Sequence, residues 1–450
     1  MGKLSLASPS QPTNFSLDPA LAPLMGAHGI WGSSLVLEGP ARERICAALI
    51  PQADSGHLKL AEAIFTSPVA GKVFLQTLSL GERIETKIFT NLYHVVSAGG
   101  SSTHKWQIFI TDVIGSNRRR QSCNFLNIKY DPENKPDESC SKDNPSGCKD
   151  GDLEGKFGSV KVGKQESMFS KKYYMDPSLS LPNLRGSRML YLVLYDADHT
   201  DSFLACAQIN MIKPKVAKVT FMNDGVSGEI SFKQDSAFHP VFVTETLSGL
   251  HDGAGSFHIH EFPVPPRMFL DDAVCGQTGG HFNPYNKDKS SSPPPGEGSS
   301  DQYEVGDLSG KYGDLKLKER VNGSFVDPSL SLYGARSIIG RSVVIHKSPK
   351  PERWVCANIE EDVAKITAVA TFTYPVAGKI MFRQEADRPL ADTSIYVEGL
   401  VYSDGTKNNT GGHKWHVHRE IPGKDFFNWT GRCLSAGGHF NPYVVNDEEK

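Results

Sequence analysis

Two histidines one residue apart, Phe257-His258-Ile259-His260, stand in an apolar stretch whose strand geometry would put both imidazoles on one face. Alone, such a pair is more often the half-exposed face of a strand than a metal site. Two further histidines favour the metal reading. Gly279-Gly280-His281-Phe282-Asn283-Pro284 holds an imidazole in a glycine-rich turn 21 residues on, and Val344-Ile345-His346 ends an apolar run. Four neutral imidazoles suit copper or zinc.

The elements that must position these residues are strands. Val216-Ala-Lys-Val-Thr-Phe221, Gly228-Glu-Ile-Ser-Phe-Lys-Gln234 and Val241-Phe-Val-Thr-Glu-Thr-Leu247 alternate or run apolar, with Gly, Asp and Asn between them. The chain has 42 Gly and 28 Pro and no long helical periodicity, so an all-β sandwich or barrel is expected. The same unit recurs. Val69-Ala-Gly-Lys-Val-Phe-Leu-Gln76, Val226-Ser-Gly-Glu-Ile-Ser-Phe-Lys-Gln234 and Val376-Ala-Gly-Lys-Ile-Met-Phe-Arg-Gln384 share one pattern, with glycines 157 and 150 residues apart. A second signature, Asp-Pro-x-Leu, opens at Asp18, Asp176 and Asp327 and falls late in each unit. In phase, residues 1–55 are the C-terminal half of a degenerate unit, 60–212 and 213–361 are complete units, and 362–450 are an N-terminal half. The Ser- and Pro-rich stretch 286–300 is a long loop inside the third unit.

With 450 residues, two to four domains are expected. A formal net charge of −3 excludes a basic nucleic-acid footprint, and Arg118-Arg119-Arg120 reads as a solvated loop rather than a phosphate patch. No apolar run approaches the ~20 residues of a membrane helix. The eight cysteines, an even count, permit four disulfides without assigning them. Sequons at Asn14, Asn322, Asn408 and Asn428 beside those cysteines favour an oxidising, secretory compartment, although no signal-peptide core is visible.

The constellation His258-x-His260, Cys275, Gly-Gly-His281-Phe-Asn-Pro, Gly306-Asp307-Leu308, Gly340-Arg341-Ser342-Val-Val-Ile-His346 and Arg353-x-x-Cys356 closely resembles the copper/zinc superoxide dismutase family over essentially all of 213–361. The resemblance implies a Greek-key β-barrel or sandwich and an extracellular or cell-surface protein acting on superoxide. It implies copper ligation by His258, His260, His281 and His346, a Cys275–Cys356 disulfide, and Arg353 as the anchor for the superoxide anion. Residues 282–306 carry no histidine, so the family's two further zinc ligands are missing, and 346–353 is too short for its charged guiding loop. The tandem arrangement is similar to the copper-only superoxide dismutase repeat proteins of animals. Zinc is then not expected, Glu304 would hold His281 in its place, and Asp307 supports the site; the alternative for Glu304 is a surface carboxylate.

The other units serve as internal controls. By counted spacing, Gln107 and Phe109 stand at the positions of His258 and His260, Lys129 at His281, Tyr195 at His346, Lys149 at Glu304 and Phe203 at Arg353. Cys123, Cys206, Asp152 and the Asp176 run remain, so a Cys123–Cys206 bridge and a folded, copper-free unit are expected. The spacing of Cys140 and Cys148 in a polar loop favours a local bridge. The fourth unit keeps a partial site, His416, His418 and His439, and counting 19 residues from Asp18 places Leu37 at the missing ligand. Two accounts of the half-units compete: a fragment or isoform of a longer array, or two halves that close a third barrel through Cys46 and Cys433. The functional rivals are an extracellular copper-binding or adhesive scaffold with incidental turnover, and a zinc site on the same histidines. The copper donor is not legible.

Overall fold

A computed structural model describes residues 30–31, 34–38, 44–48, 58–95, 102–112, 123–136, 140–164, 171–181, 188–198, 201–265, 274–388, 390–405, 408–427 and 430–442. Asn14, Asn428 and the Arg118–Arg120 run lie outside the described residues, as does the side chain of Cys46. The protein is nearly all β and forms two compact units, one containing residues 213–406 and the other residues 34–38, 44–48, 58–212 and 408–442.

In the first of these, a five-stranded antiparallel sheet is ordered Arg320–Asp327, Val241–Ser248, Val226–Gln234, Lys215–Asn223 and Glu360–Glu361. A three-stranded sheet is ordered Ala254–His260, Ser342–Lys347 and Arg353–Asn358. The chain crosses between sheets after Val241–Ser248, after Ala254–His260, after Arg320–Asp327 and after Arg353–Asn358, which makes a Greek-key sandwich. Strand alternation builds the core between them. Ala217, Val219 and Phe221 face inward from one sheet, Phe257, Ile259, Val343 and Ile345 from the other, all within one buried cluster. The intervening residues His258, His260, Val344 and His346 therefore project from the opposite face of the smaller sheet, where the long loop 274–312 covers them.

Residues 58–212 repeat the plan around their own core, which includes Ala61, Val73, Ile88, Trp106, Ile108, Leu192 and Ile209. Register makes the likeness concrete: Val193 pairs with Cys206 as Val344 pairs with Cys356. Both units bury a lysine–aspartate pair. Lys311 Nζ lies 2.7 Å from Asp327 Oδ2 and donates to Val305 O and Ser329 Oγ, while Lys156 bonds Asp176, Asp150 O and Ser178 in the same way. Asp327 Oδ1 also accepts from the amides of Ser329 and Leu330, which gives the Asp-Pro-Ser-Leu signature its physical reason: a buried carboxylate fixing a turn.

The disulfides Cys275–Cys356, Cys123–Cys206 and Cys140–Cys148 are formed. Cys433 has a free, exposed thiol. Residues 365–402 form a separate three-stranded antiparallel sheet, Lys365–Phe372, Val376–Glu385 and Ser394–Tyr402. The hairpin Ser34–Glu38 with Arg44–Ala48 pairs Val36 with Cys46. That register corrects the count from Asp18. Two residues beyond the cysteine's partner stands His346 in one complete unit and Tyr195 in the other, and in the hairpin that position is Glu38, not Leu37. The count failed because the loop before the strand differs in length.

Candidate metal centre

Two neighbouring strands and a turn bring the histidines together. His258 and His260 come from one strand and His346 from its antiparallel neighbour, while His281 is tied to His260 by an isolated β-bridge. Gly306 makes that fold-back possible. It donates to Phe282 O and accepts from Ile259 N, so strand, turn and loop meet at one glycine, and a Cβ there would lie 2.3 Å from Ile259 O. Gly279, at φ +74°, turns the chain against the Phe262 ring just before His281.

Each imidazole has one nitrogen spoken for. His281 Nδ1 lies 2.6 Å from Glu304 Oε2, His346 Nδ1 3.0 Å from Pro351 O, and His260 Nδ1 3.1 Å from Gly279 O and 3.2 Å from Thr278 Oγ1. With Nδ1–H donating in these three, the Nε2 lone pairs are left over, and His260 Nε2 and His346 Nε2 approach to 3.4 Å. His258 is inverted: its Nε2 faces Asp307 Oδ1 at 3.4 Å, and its buried Nδ1 has no hydrogen-bond partner. One ligand nitrogen from each ring lies within 4.8 Å of the others. An orphaned buried nitrogen facing three acceptor nitrogens is costly without a cation to share, so the donor set fits a metal that takes neutral imidazole.

The electrostatics agree. Burial and the neighbouring imidazoles hold His258 far below the ordinary histidine value, burial pushes His260 down to about 4, and burial lowers His346. The hydrogen bond from His281 depresses Glu304, whose other oxygen accepts from Asn283 Nδ2 at 3.2 Å. Glu304 is 9% exposed and is thus a built-in partner of His281, not a surface carboxylate. Asp307 also caps the short helix Leu308–Tyr312 by accepting from Gly310 N. Arg353 donates to the carbonyls of Cys275, Gly276 and Gly279 and to Thr278 Oγ1, and its charge helps lower His260 and His346. The Cys275–Cys356 bridge pins the same loop to Arg353's strand.

Sequence reasoning missed Thr278, Asn283 and the Pro351 carbonyl. The motif Gly-Gly-His-Phe-Asn-Pro held the Asn283 signal, but a backbone carbonyl carries no residue-type signal at all.

In residues 58–212 the corresponding positions make a closed pocket. Tyr195 Oη donates to Gln107 Oε1 at 2.8 Å, and Gln107 Nε2 to Asp152 Oδ1 at 3.2 Å. Phe203 packs edge-on against Phe109 and Tyr195, with centroids 5.5 and 5.2 Å apart, while Lys129 is exposed. Residues 408–442 keep the local geometry of three ligands. His418 Nδ1 bonds Gly437 O at 2.7 Å, His418 bridges His439, and the three rings offer nitrogens within 4.8 Å, but His416 and His439 are exposed. Asn322 and Asn408 are exposed.

Comparison with known proteins gives the same assignment. Residues 226–357 match the family model for copper/zinc superoxide dismutase. Cu-Zn superoxide dismutase 5 of Dictyostelium discoideum is 36% identical over 123 residues, which cover 27% of this chain and 72% of that protein. Residues 226–357 contain the four-histidine cluster, the loop that covers it and Arg353, and with that relative the match places the chain in the copper/zinc superoxide dismutase family.

Proposed function

We propose that this chain is a copper-only superoxide dismutase with one complete site, His258, His260, His281 and His346. The observation that carries the reading is the pattern of contacts made by the ring nitrogens. Three Nδ1–H groups are committed to Glu304, Pro351 O and Gly279 O, and the one orphaned buried nitrogen belongs to His258. Glu304 at 2.6 Å does for His281 what a second metal would do, which supports function without zinc.

Bound copper would supply the one-electron couple that oxidises one superoxide to dioxygen and reduces another, with two protons, to hydrogen peroxide. The residues do the rest. Arg353, fixed by loop carbonyls, presents a positive charge beside His260 and His346 and anchors the anion. His281, the most exposed of the four, is placed to hand over a proton at Nε2 while Glu304 keeps Nδ1 protonated. Residues 60–212 act as a metal-free barrel, and His416, His418 and His439 as a weaker three-imidazole site. The sequons Asn322 and Asn408, both exposed, support an extracellular or cell-surface location.

The filled pocket around Tyr195 favours one rival, an extracellular copper-binding scaffold without turnover. Metal loading tests the site: offered copper and zinc together, the full chain should retain one tight copper with nitrogen hyperfine structure in its electron paramagnetic resonance spectrum. Loss of that signal in His258→Ala with His346→Ala is expected. Preferential zinc retention at these histidines would reject the copper-only reading, and copper without superoxide decay would favour the scaffold.

A further inference from the structure

Residues 58–212 contain a side-chain cluster that the metal-free reading of that unit leaves unused. Ser102 Oγ lies 2.6 Å from His104 Nε2 and 2.7 Å from His94 Nε2, so one hydroxyl sits between two imidazoles. Strand pairing brings them together. Ser102–His104 pairs with Val160–Val162, and the next residue, Gly163, accepts from His94 N. On its other side the His104 ring places Nδ1 2.8 Å from Tyr195 O. A carbonyl only accepts, so Nδ1 carries the proton and Nε2 of the neutral ring is an acceptor. The single Ser102 proton therefore points at His104, and His94 donates Nε2–H to the same oxygen. Burial and the neighbouring His104 lower His94 from the ordinary histidine value, which favours the neutral ring this pattern needs.

The fold does not ask for these side chains. Counted along the paired strands, His94, Ser102 and His104 stand where the four-histidine unit has Gly249, Gly253 and Gly255. A Cβ would lie 1.9 Å from Gly225 O at Gly249 and 2.8 Å from Lys347 O at Gly255, so that unit has no room for the two imidazoles. A hydroxyl, a base that accepts its proton and a carbonyl that orients the base are the parts of an activated nucleophile. His104 is 4% exposed and held from both sides, whereas Ser102 is partly exposed and within reach of a solute.

We propose that Ser102 is a nucleophile with His104 as its general base, and that residues 58–212 hydrolyse small carboxylic esters. Ser102 Oγ attacks the ester carbonyl carbon while its proton passes to His104 Nε2. The bond to the leaving alcohol breaks, and His104 gives that proton to the alcohol oxygen. Water then attacks the acyl-serine with His104 again as base, which releases the carboxylic acid and restores Ser102. His94 Nε2–H, within hydrogen-bond reach of Oγ, is the donor for the oxyanion. One such donor suits esters with good leaving groups and not amides. No step needs copper.

The test uses the full chain, copper-loaded and copper-stripped, with p-nitrophenyl acetate as substrate and a fluorophosphonate as covalent probe. Mass spectrometry of a digest should place the phosphonyl group on Ser102, and nitrophenol release should be equal with and without copper. Ser102→Ala should abolish both; it removes one oxygen and leaves the strand pairing, so an unchanged melting temperature shows that the loss is chemical. His104→Gln should slow both by about 100-fold, and His94→Gln, which keeps a donor, should lose less. An adduct on another residue, hydrolysis that survives Ser102→Ala, or hydrolysis that follows copper content would overturn the proposal, as would a rate no higher than that of free imidazole at the same concentration.

Discussion

Replacing Glu304 separates a built-in partner of His281 from a bystander, and the structure sets the size of the effect. The carboxylate is 9% exposed and takes a 2.6 Å bond from His281 Nδ1, with Asn283 fixing its second oxygen. A hydrogen bond to a charged group is worth about 1.5–3 kcal/mol and a neutral one about 0.5–1.5. Glu304→Gln keeps an acceptor but not the charge, so it should forfeit about 1–2 kcal/mol, a factor of about 5–30 in copper affinity. Glu304→Ala also frees the ring to rotate, and its loss should lie at the upper end of the roughly 10–100-fold seen when such partners are removed. Competition against a chelator of known affinity measures both, and the melting temperature of the metal-free chain checks that the barrel is intact. The order wild type, Gln, Ala is the expected result. Equal affinities in all three would refute the idea that Glu304 takes over a role of zinc.

Further outcomes follow from the same geometry. Arg353→Ala should lower kcat/KM by about tenfold or more while Arg353→Lys recovers part of it, with copper content unchanged in both; superoxide decay at low and high salt reads this out. Lys311→Met strands the Asp327 carboxylate, 0% exposed, and should cost about 3–5 kcal/mol in chemical denaturation. Acid should weaken the metal-free fold: an unfolded histidine takes up its proton near pH 6.5, whereas native His260 resists until about 4. Unfolding therefore binds protons in that window, and the melting temperature should fall as pH drops from 6.5 to 4. Finally, the His258→Ala, His346→Ala chain should hold no tight copper in residues 60–212, because Gln107, Tyr195 and Phe203 fill the pocket; tight copper persisting there by metal analysis would contradict this.

The histidines were legible because strand alternation, glycine turns and order along the chain are all encoded in residue types. His258 and His260 share a face for the same reason that Phe257 and Ile259 share the core. The Glu304 contact was legible through a gap, the missing histidines of 282–306. Features built on backbone were not. The Pro351 carbonyl that orients His346 leaves no mark in the sequence, and nothing in its residue type marks Lys311 as the buried partner of Asp327. Counting residues across a loop placed Leu37 where strand register places Glu38, because register is set by pairing rather than by distance along the chain.

The most direct measurement is superoxide decay by the full chain loaded with one equivalent of copper and no zinc. The account predicts catalytic decay well above the free-copper background, unchanged by added zinc and abolished in the His258→Ala, His346→Ala chain. Activity that appears only with zinc, or that survives loss of these two histidines, would contradict it.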